Sequence, residues 1–432
     1  MPYHLATPQL RGFLPKPPGR RKTKTPVAAV VPARRAGYRA GMETTDVLIL
    51  GAGAAGMFCA IEAARRGRRV IVIDHGAQPG EKIRISGGGR CNFTNREAPA
   101  ERFLSANPRF AIGPLSRFTP ADFVARIDRA GIAWHEKTLG QLFCDGSARQ
   151  IVAMLARDMA EAGAGLRLST GIRAVAREGD FIVTTDHGVI RAAALVLATG
   201  GKSIPKMGAT GLAYRIAAQF GLAVIEPRPA LVPLTFATQA LERFRALAGV
   251  SLDARVSLGR AAFREGLLFT HRGLSGPSIL QISSYWREGD ALSIDLAPGG
   301  DVAEALRAGR TSAGRVALQT ALARHLPDGV AAMILAEAGL AGRLADQGNA
   351  ALDRLGALVH RWPVRPVGSE GYRTAEVTLG GVDTRALDAR TMAARRVPGL
   401  YVIGEAVDVT GWLGGYNFQW AWSSGWVAGQ AA

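Results

Sequence analysis

At 432 residues, with 48% hydrophobic and 20% charged, the chain exceeds one ordinary domain of roughly 100–200 residues, and its composition excludes wholesale disorder. A formal net charge of +18 invites a polyanionic partner such as nucleic acid, because basic surfaces attract phosphates through counterion release. Three widely spaced cysteines, Cys59, Cys91 and Cys144, form no CxxC pair, which excludes a disulfide framework and points to a reducing, cytoplasmic compartment.

Residues 1–42 read as a basic leader. Residues 1–41 hold nine Lys and Arg and no acid, so half of the excess charge lies there. Several prolines and no apolar period accompany that charge, so disorder is expected. The apolar run at 27–31 is too short for a signal peptide. A transit peptide, an RNA-binding arm and a true start at Met42 stay open as readings.

The first strand is expected at 46–50 (DVLIL), followed by GAGAAG and a helix closed by Gly67, with the next strand at 69–74 (RVIVID). Together they make a βαβ unit, the start of a doubly wound sheet. Residues 75–95 read as loop and 147–162 as helix. Short alternating runs at 166–169, 172–176, 181–185 and 189–191 suggest an antiparallel meander, and 193–198 (AALVLA) a buried strand. Beyond Pro205 the texture changes: strand-like pieces at 231–236, 254–258 and 292–296 precede an Ala-, Leu- and Arg-rich helical stretch at 302–360. The segment 208–364 is therefore expected as an inserted domain. Residues 399–404 (GLYVIG) return to the buried-strand pattern, and a last helix begins near Tyr416. No charge occurs in 409–432. Even so Gly411, Gly414, Gly415 and Asn417 break that stretch, and a membrane span needs ~20 predominantly apolar residues.

Gly51, Gly53 and Gly56 fit GxGxxG between strand and helix. The pattern supplies a tight turn, close approach of backbone to a pyrophosphate, and close packing of helix on sheet. The helix N-terminus adds free N–H groups and partial positive charge. Asp74 ends the next strand, where an acid can accept a ribose hydroxyl. A second glycine-rich strand-to-helix turn follows Gly404 and Glu405, which a plain NAD domain does not need. In FAD proteins resembling glutathione reductase such a turn reaches the ribitol, and its helix N-terminus stabilises negative charge on reduced flavin. The expected fold is therefore α/β: a Rossmann-like FAD-binding domain of glutathione-reductase type from 43–207 and 365–432, with an inserted α+β substrate domain at 208–364.

The segments SGGGRCNFTN (86–95), ATGG (198–201), PALVPL (229–234), FTHRGLSGP (269–277), TLGGV (378–382) and GGYNFQWAWSSG (414–425) resemble the BaiN/RdsA-like NAD(P)/FAD-dependent oxidoreductases, the YhiN-type flavoproteins, over essentially all of 45–430. The sequence departs from that pattern at Arg84, at 141–144 (QLFC) and at Leu212. The resemblance implies FAD as cofactor and NAD(P)H as a transient electron donor; no second GxGxxG follows Gly201, so a separate nicotinamide domain is not expected. It also implies reduction of a C=C bond conjugated to a carbonyl. The substrate is a uridine of large-subunit ribosomal RNA or its precursor, giving dihydrouridine, or a small enone or steroid-like molecule. A flavin-binding redox sensor without turnover is a further reading. No membrane and no metal are expected.

Cofactor contacts are expected from Gly51, Gly53, Ala54, Ala55, Gly56 and Asp74 of the first unit. The following loop is expected to add Lys82, Ser86, Gly87, Gly88, Arg90, Cys91 and Asn92. Thr199, Gly200 and Gly201 should contribute after the buried strand, and Gly404, Glu405, Gly414, Gly415, Tyr416 and Asn417 near the C-terminus. Cys91 can donate a proton or form a flavin adduct, or simply pack. His271 can act as an acid or orient substrate, or satisfy loop carbonyls. Arg90 can reach a phosphate or the flavin edge, or form a surface salt bridge. Trp412, Trp420, Trp422 and Trp426 read as packing, with an aromatic platform as the alternative.

Overall fold

A computed structural model describes residues 42–432; the leader and the readings made for it lie outside the described residues. The uninterrupted apolar run of β1 (Glu43–Leu50) buries both of its faces, as parallel strands do. GAGAAG turns the chain into α1 (Ala54–Arg65), which returns it to β2 (Val70–Ile73), parallel to β1. Gly51 has φ +112, and a Cβ there would lie 2.5 Å from the Ala198 carbonyl oxygen, so only glycine makes this turn.

The sheet around β1 is seven-stranded. β3 (Gly188–Leu197) pairs with β1 in parallel along its length. Its other edge pairs first with the antiparallel strand Asp180–Thr185 and then with a parallel strand, the later Leu400–Val402. The two runs read separately at 189–191 and 193–198 are thus one strand. The expected meander needs a second correction: Gly165–Arg167 is a parallel partner of β2, and only the strands Ile172–Glu178, Asp180–Thr185 and β3 alternate in direction.

Residues 75–95 are not all loop. α2 (Glu81–Gly89) forms there, followed by the strand Asn92–Asn95, which pairs with Gln141–Cys144. The glycine density of SGGG hid a helix whose last turn is distorted rather than absent.

A second seven-stranded sheet, antiparallel throughout, runs from Leu234–Thr235 to Gly368–Ser369. The helices Val302–Ala313, Leu318–Leu322, Asp328–Ala338 and Asn349–His360 pack on it, as the 302–360 stretch predicts. This second core extends from Leu234 to Val364, whereas the helix Leu212–Gln219 packs into the first. Val224–Ala230 and β4 (Val377–Val382) form a separate antiparallel pair beside the first core. After β5 (Leu400–Val402) the chain ends in α3 (Tyr416–Gly429). Among the described residues no helix is long and apolar enough to cross a membrane.

α3 crosses α1 at very short range. A Cβ on Gly425 would lie 2.6 Å from the Ala55 carbonyl oxygen, and one on Gly429 would lie 2.8 Å from that of Cys59. Overpacking a close contact of this kind costs about 1–3 kcal/mol. Gly425→Val is therefore expected to lower the urea midpoint by a corresponding amount with an unchanged denaturant slope.

Candidate functional site

β1, β3 and β5 run parallel, so their carboxyl ends open on the same side, where ligands of open α/β sheets bind. A cleft of about 620 Å³ lies there. Its floor is the α1 N-terminus, capped by Gly53 with no side-chain hydrogen bond and with no acid in the first turn. The first-turn amides have no intrahelical partner, and the helix dipole adds to their attraction for an anion. A Cβ on Gly53 would meet nothing within 4 Å, so the backbone is bare on that side. Asp74 closes the turn from β2: its Oδ2 accepts from the Ala52 amide at 2.7 Å and its Oδ1 from that of Gly76 at 2.7 Å. Each oxygen keeps a lone pair for a hydroxyl.

α2 lies along the side of the cleft. It departs from helical geometry at Ser86 (ψ 150), Gly87 (φ 55) and Gly88 (φ 67). Gly87 and Gly88 adopt a left-handed backbone that favours glycine, and both line the cleft. One turn earlier, Lys82 Nζ donates to Glu405 Oε2 at 2.6 Å and to Ser203 Oγ at 2.5 Å. Glu405 Oε1 accepts from Ser203 Oγ at 2.9 Å and from the Thr378 amide at 3.0 Å. This knot joins α2 to β4 and to the turn after β5.

The opposite end holds the N-terminus of α3. Gly415 caps it at φ +93, and a Cβ there would lie 2.3 Å from the Thr94 carbonyl oxygen. The entering loop is clamped on itself: the Gly411 amide donates to Asn417 Oδ1 at 2.8 Å, and Asn417 Nδ2 donates back to the Gly411 carbonyl at 2.9 Å. Asn95 Nδ2 donates to the Gly414 carbonyl at 3.0 Å, and Thr94 Oγ1 donates to Gln419 at 2.6 Å. The last wall carries Leu231, Glu265, Pro277, Glu376, Val377, Trp412 and Leu413. Gln281 ties it together, accepting from the Leu413 amide at 2.9 Å and donating to Glu265 at 3.3 Å.

Most of the anticipated cofactor residues line this one cleft: Gly51, Gly53, Ala54, Ala55, Asp74, Lys82, Ser86, Gly87, Gly88, Asn92, Thr199, Gly200, Gly201, Gly404, Glu405, Gly414, Gly415 and Asn417. Gly56, Arg90, Cys91, Tyr416 and His271 do not. Gly56 instead packs helix on turn, since a Cβ would lie 2.0 Å from the Gly51 carbonyl oxygen. Cys91 is wholly buried in the first core at φ +51, and that burial pushes its thiol up, away from the nucleophilic thiolate. Tyr416 turns its hydroxyl to Arg102. Arg90 and His271 are exposed, the latter in the turn between Ala261–Thr270 and Gly273–Ser275. Trp420 and Trp422 are core side chains, although Trp420 also borders the cleft, and Trp412 fronts it while its indole N–H donates to Tyr285 at 2.7 Å.

Sequence reasoning missed Gln141, Phe143, Leu231, Glu265 and Glu376, which all line the cleft. Glu376 sits two residues before TLGGV, a segment already singled out, but nothing in its spacing marked it.

Two helix N-termini without side-chain caps and a cleft lined by glycines fit FAD, which has an anionic bridge and a ring system that becomes negative on reduction.

The sequence profile of the HI0933-like protein Rossmann domain matches residues 45–431. The chain is 49% identical over 396 residues to the ribosomal RNA dihydrouridine synthase of Escherichia coli (strain K12), covering 90% of this chain and 98% of that protein. It is 44% identical over 391 residues to the protein of the same name from Haemophilus influenzae, covering 89% and 97%. With the 3-dehydro-bile acid delta(4,6)-reductase of Clostridium scindens it shares 28% identity over 405 residues, covering 89% and 98%.

Gly415→Ala places a methyl where Thr94 already stands and demands a left-handed alanine. It is expected to abolish flavin retention, read as flavin absorbance per mole of purified protein, and to lower the melting temperature.

Proposed function

The chain belongs to the HI0933-like Rossmann family, and from that premise we propose that it reduces the C5=C6 bond of a uridine in ribosomal RNA to dihydrouridine, using FAD re-reduced by NAD(P)H. It is an oxidoreductase of the flavin-binding class. The observation that carries the reading is the single cleft running from the uncapped α1 N-terminus to the apolar wall of Leu231, Val377, Trp412 and Leu413. It has room for a cofactor at one end and a flat, electron-poor substrate at the other. The relatives named ribosomal RNA dihydrouridine synthases, matched over nearly their full length, support the choice of substrate. So does the half of the excess positive charge that lies beyond residue 41.

In this reading residues 43–207 and 365–432 hold the cofactor, and the segment 208–364 helps present the substrate, in the cytoplasm. When bound and reduced, the flavin would supply a hydride equivalent for one carbon of the alkene. The first-turn amides of α1 hold the anionic bridge, and the spare lone pairs of Asp74 accept ribose hydroxyls. The N-terminus of α3 opposes charge that develops beside it. The apolar wall excludes water, which strengthens each of these interactions. Those same apolar side chains favour a second reading, a small enone substrate, in line with the relative named as a bile acid reductase. Both readings use one chemistry.

Anaerobic mixing with NADPH is expected to bleach the flavin, and a protein whose flavin stays yellow would be a sensor rather than an enzyme. Mass spectrometry of ribosomal RNA from a deletion strain is expected to show a lost dihydrouridine. An unchanged content removes the RNA substrate.

A further inference from the structure

Hydride addition to an alkene conjugated to a carbonyl leaves negative charge that has to be quenched by a proton on the neighbouring carbon. The carboxylates lining the cleft are Asp74, Glu81, Glu265, Glu376 and Glu405. Four of them are engaged. Asp74 is held by two backbone amides, and Glu81 by Arg84 at 3.0 Å. Glu265 accepts from Gln281 at 3.3 Å, and Glu405 is knotted to Lys82, Ser203 and Thr378. Glu376 alone among them has a side chain with no hydrogen bond or ion pair to any described residue, and it is open to the cleft.

Its backbone, by contrast, is fixed on both sides. The Glu376 amide donates to the Leu231 carbonyl at 3.2 Å, and its carbonyl accepts from Ser203 Oγ at 3.2 Å. The carboxyl is therefore carried on a backbone that is held on both sides, immediately before the strand that starts at Val377. Other proton carriers are placed less well. Lys82 is committed to Glu405, and His75 stands beside Asp74 at 3.4 Å, against Gly208. Cys91, His271 and Tyr416 do not line the cleft.

We propose that Glu376 is the general acid: its carboxyl proton passes to the alkene carbon next to the one that receives the hydride. This rests on the reduction of a conjugated C=C bond proposed above. In the balance, the C=C π bond, the Glu376 O–H bond and the hydride-bearing N–H bond of reduced flavin would break, two C–H bonds would form, and the flavin would be left oxidised. The substrate gains two electrons from reduced flavin, and Glu376 is left as a carboxylate to be reprotonated by solvent. Glu376 stays exposed to solvent, and partial loss of water to the protein packed around it raises its carboxyl to about 7. The proton is thus present below that pH and lost as pH rises through it, so the step slows on the alkaline side.

The test uses FAD-loaded protein with its flavin photoreduced anaerobically, then mixed with a uridine-containing ribosomal RNA transcript or with cyclohexenone while flavin reoxidation is followed. Glu376→Gln is expected to slow reoxidation by about 100-fold or more and to remove the alkaline limb. Glu376→Asp keeps a limb at a shifted pH. Carbon-13 NMR of the carboxyl groups, in flavin-free and loaded protein, is expected to show one group titrating near 7 that is missing from Glu376→Gln. A Glu376→Gln protein that reoxidises at the wild-type rate with its alkaline limb intact overturns the proposal. So does one that no longer retains FAD, which makes Glu376 a cofactor ligand, and so does a wild-type spectrum without that titration. Wild-type flavin reoxidised by neither substrate sinks the proposed reaction and the acid with it, a result distinct from normal wild-type turnover with an indifferent variant.

Discussion

The contact between α1 and α3 is the constraint on which the rest depends. These helices come from opposite ends of the described chain, and they meet where glycine on one side lets a backbone carbonyl on the other approach: Gly425 over Ala55 and Gly429 over Cys59. A side chain at either position would push the axes apart. Because both N-termini open into the same cleft, that separation also sets the distance between the two backbone-derived positive ends. The geometry of the cleft is thus set by packing inside the first core, at a contact whose Ala55 also lines the cleft.

The second sheet is coupled to this arrangement through a few polar contacts. Gln281 accepts from the Leu413 amide, and the Trp412 indole donates to Tyr285, while Trp412 also packs edge-on against Phe263 at 4.8 Å. Gln281 is buried, so its hydrogen bonds are made away from water, where leaving one unmade is costly. The loop 411–415 that leads into α3 is therefore held on one side by its own Asn417 and on the other by the second sheet. The apolar wall of the cleft and α3 share one loop, and a displacement of either is felt by both.

Much of this was legible in the sequence because the signals were local. GxGxxG between an apolar run and an amphipathic helix, and the glycine pair before Tyr416, each specify a turn that few other residues permit. The parts that were not legible depend on distant partners. Gly165–Arg167 looked like one more alternating strand, but its neighbour is β2 and not the next strand along. Cys91 stood in a glycine-rich loop that faces the cleft, yet at φ +51 it belongs to the core, a fact that no residue spacing reports. Glu376 is marked by the partners it lacks, and a missing partner leaves no pattern in a sequence.

Charge divides in a way that separates cofactor from partner. Lys82 and His75 are the only basic side chains lining the cleft among the described residues, and each stands beside a carboxylate. The anion-binding power of the site therefore comes from backbone amides and helix dipoles, which do not titrate and need no counter-charge. It follows that the excess basic charge of the chain is not spent on the cofactor. Among the described residues the remaining Lys and Arg side chains lie outside the cleft lining, where single pairs contribute little to stability and a summed positive potential acts at range. A backbone-built anion site and a basic composition outside it are separate features of the chain. The cationic residues of the described chain are therefore no guide to where its cleft binds an anion, because the backbone does that work.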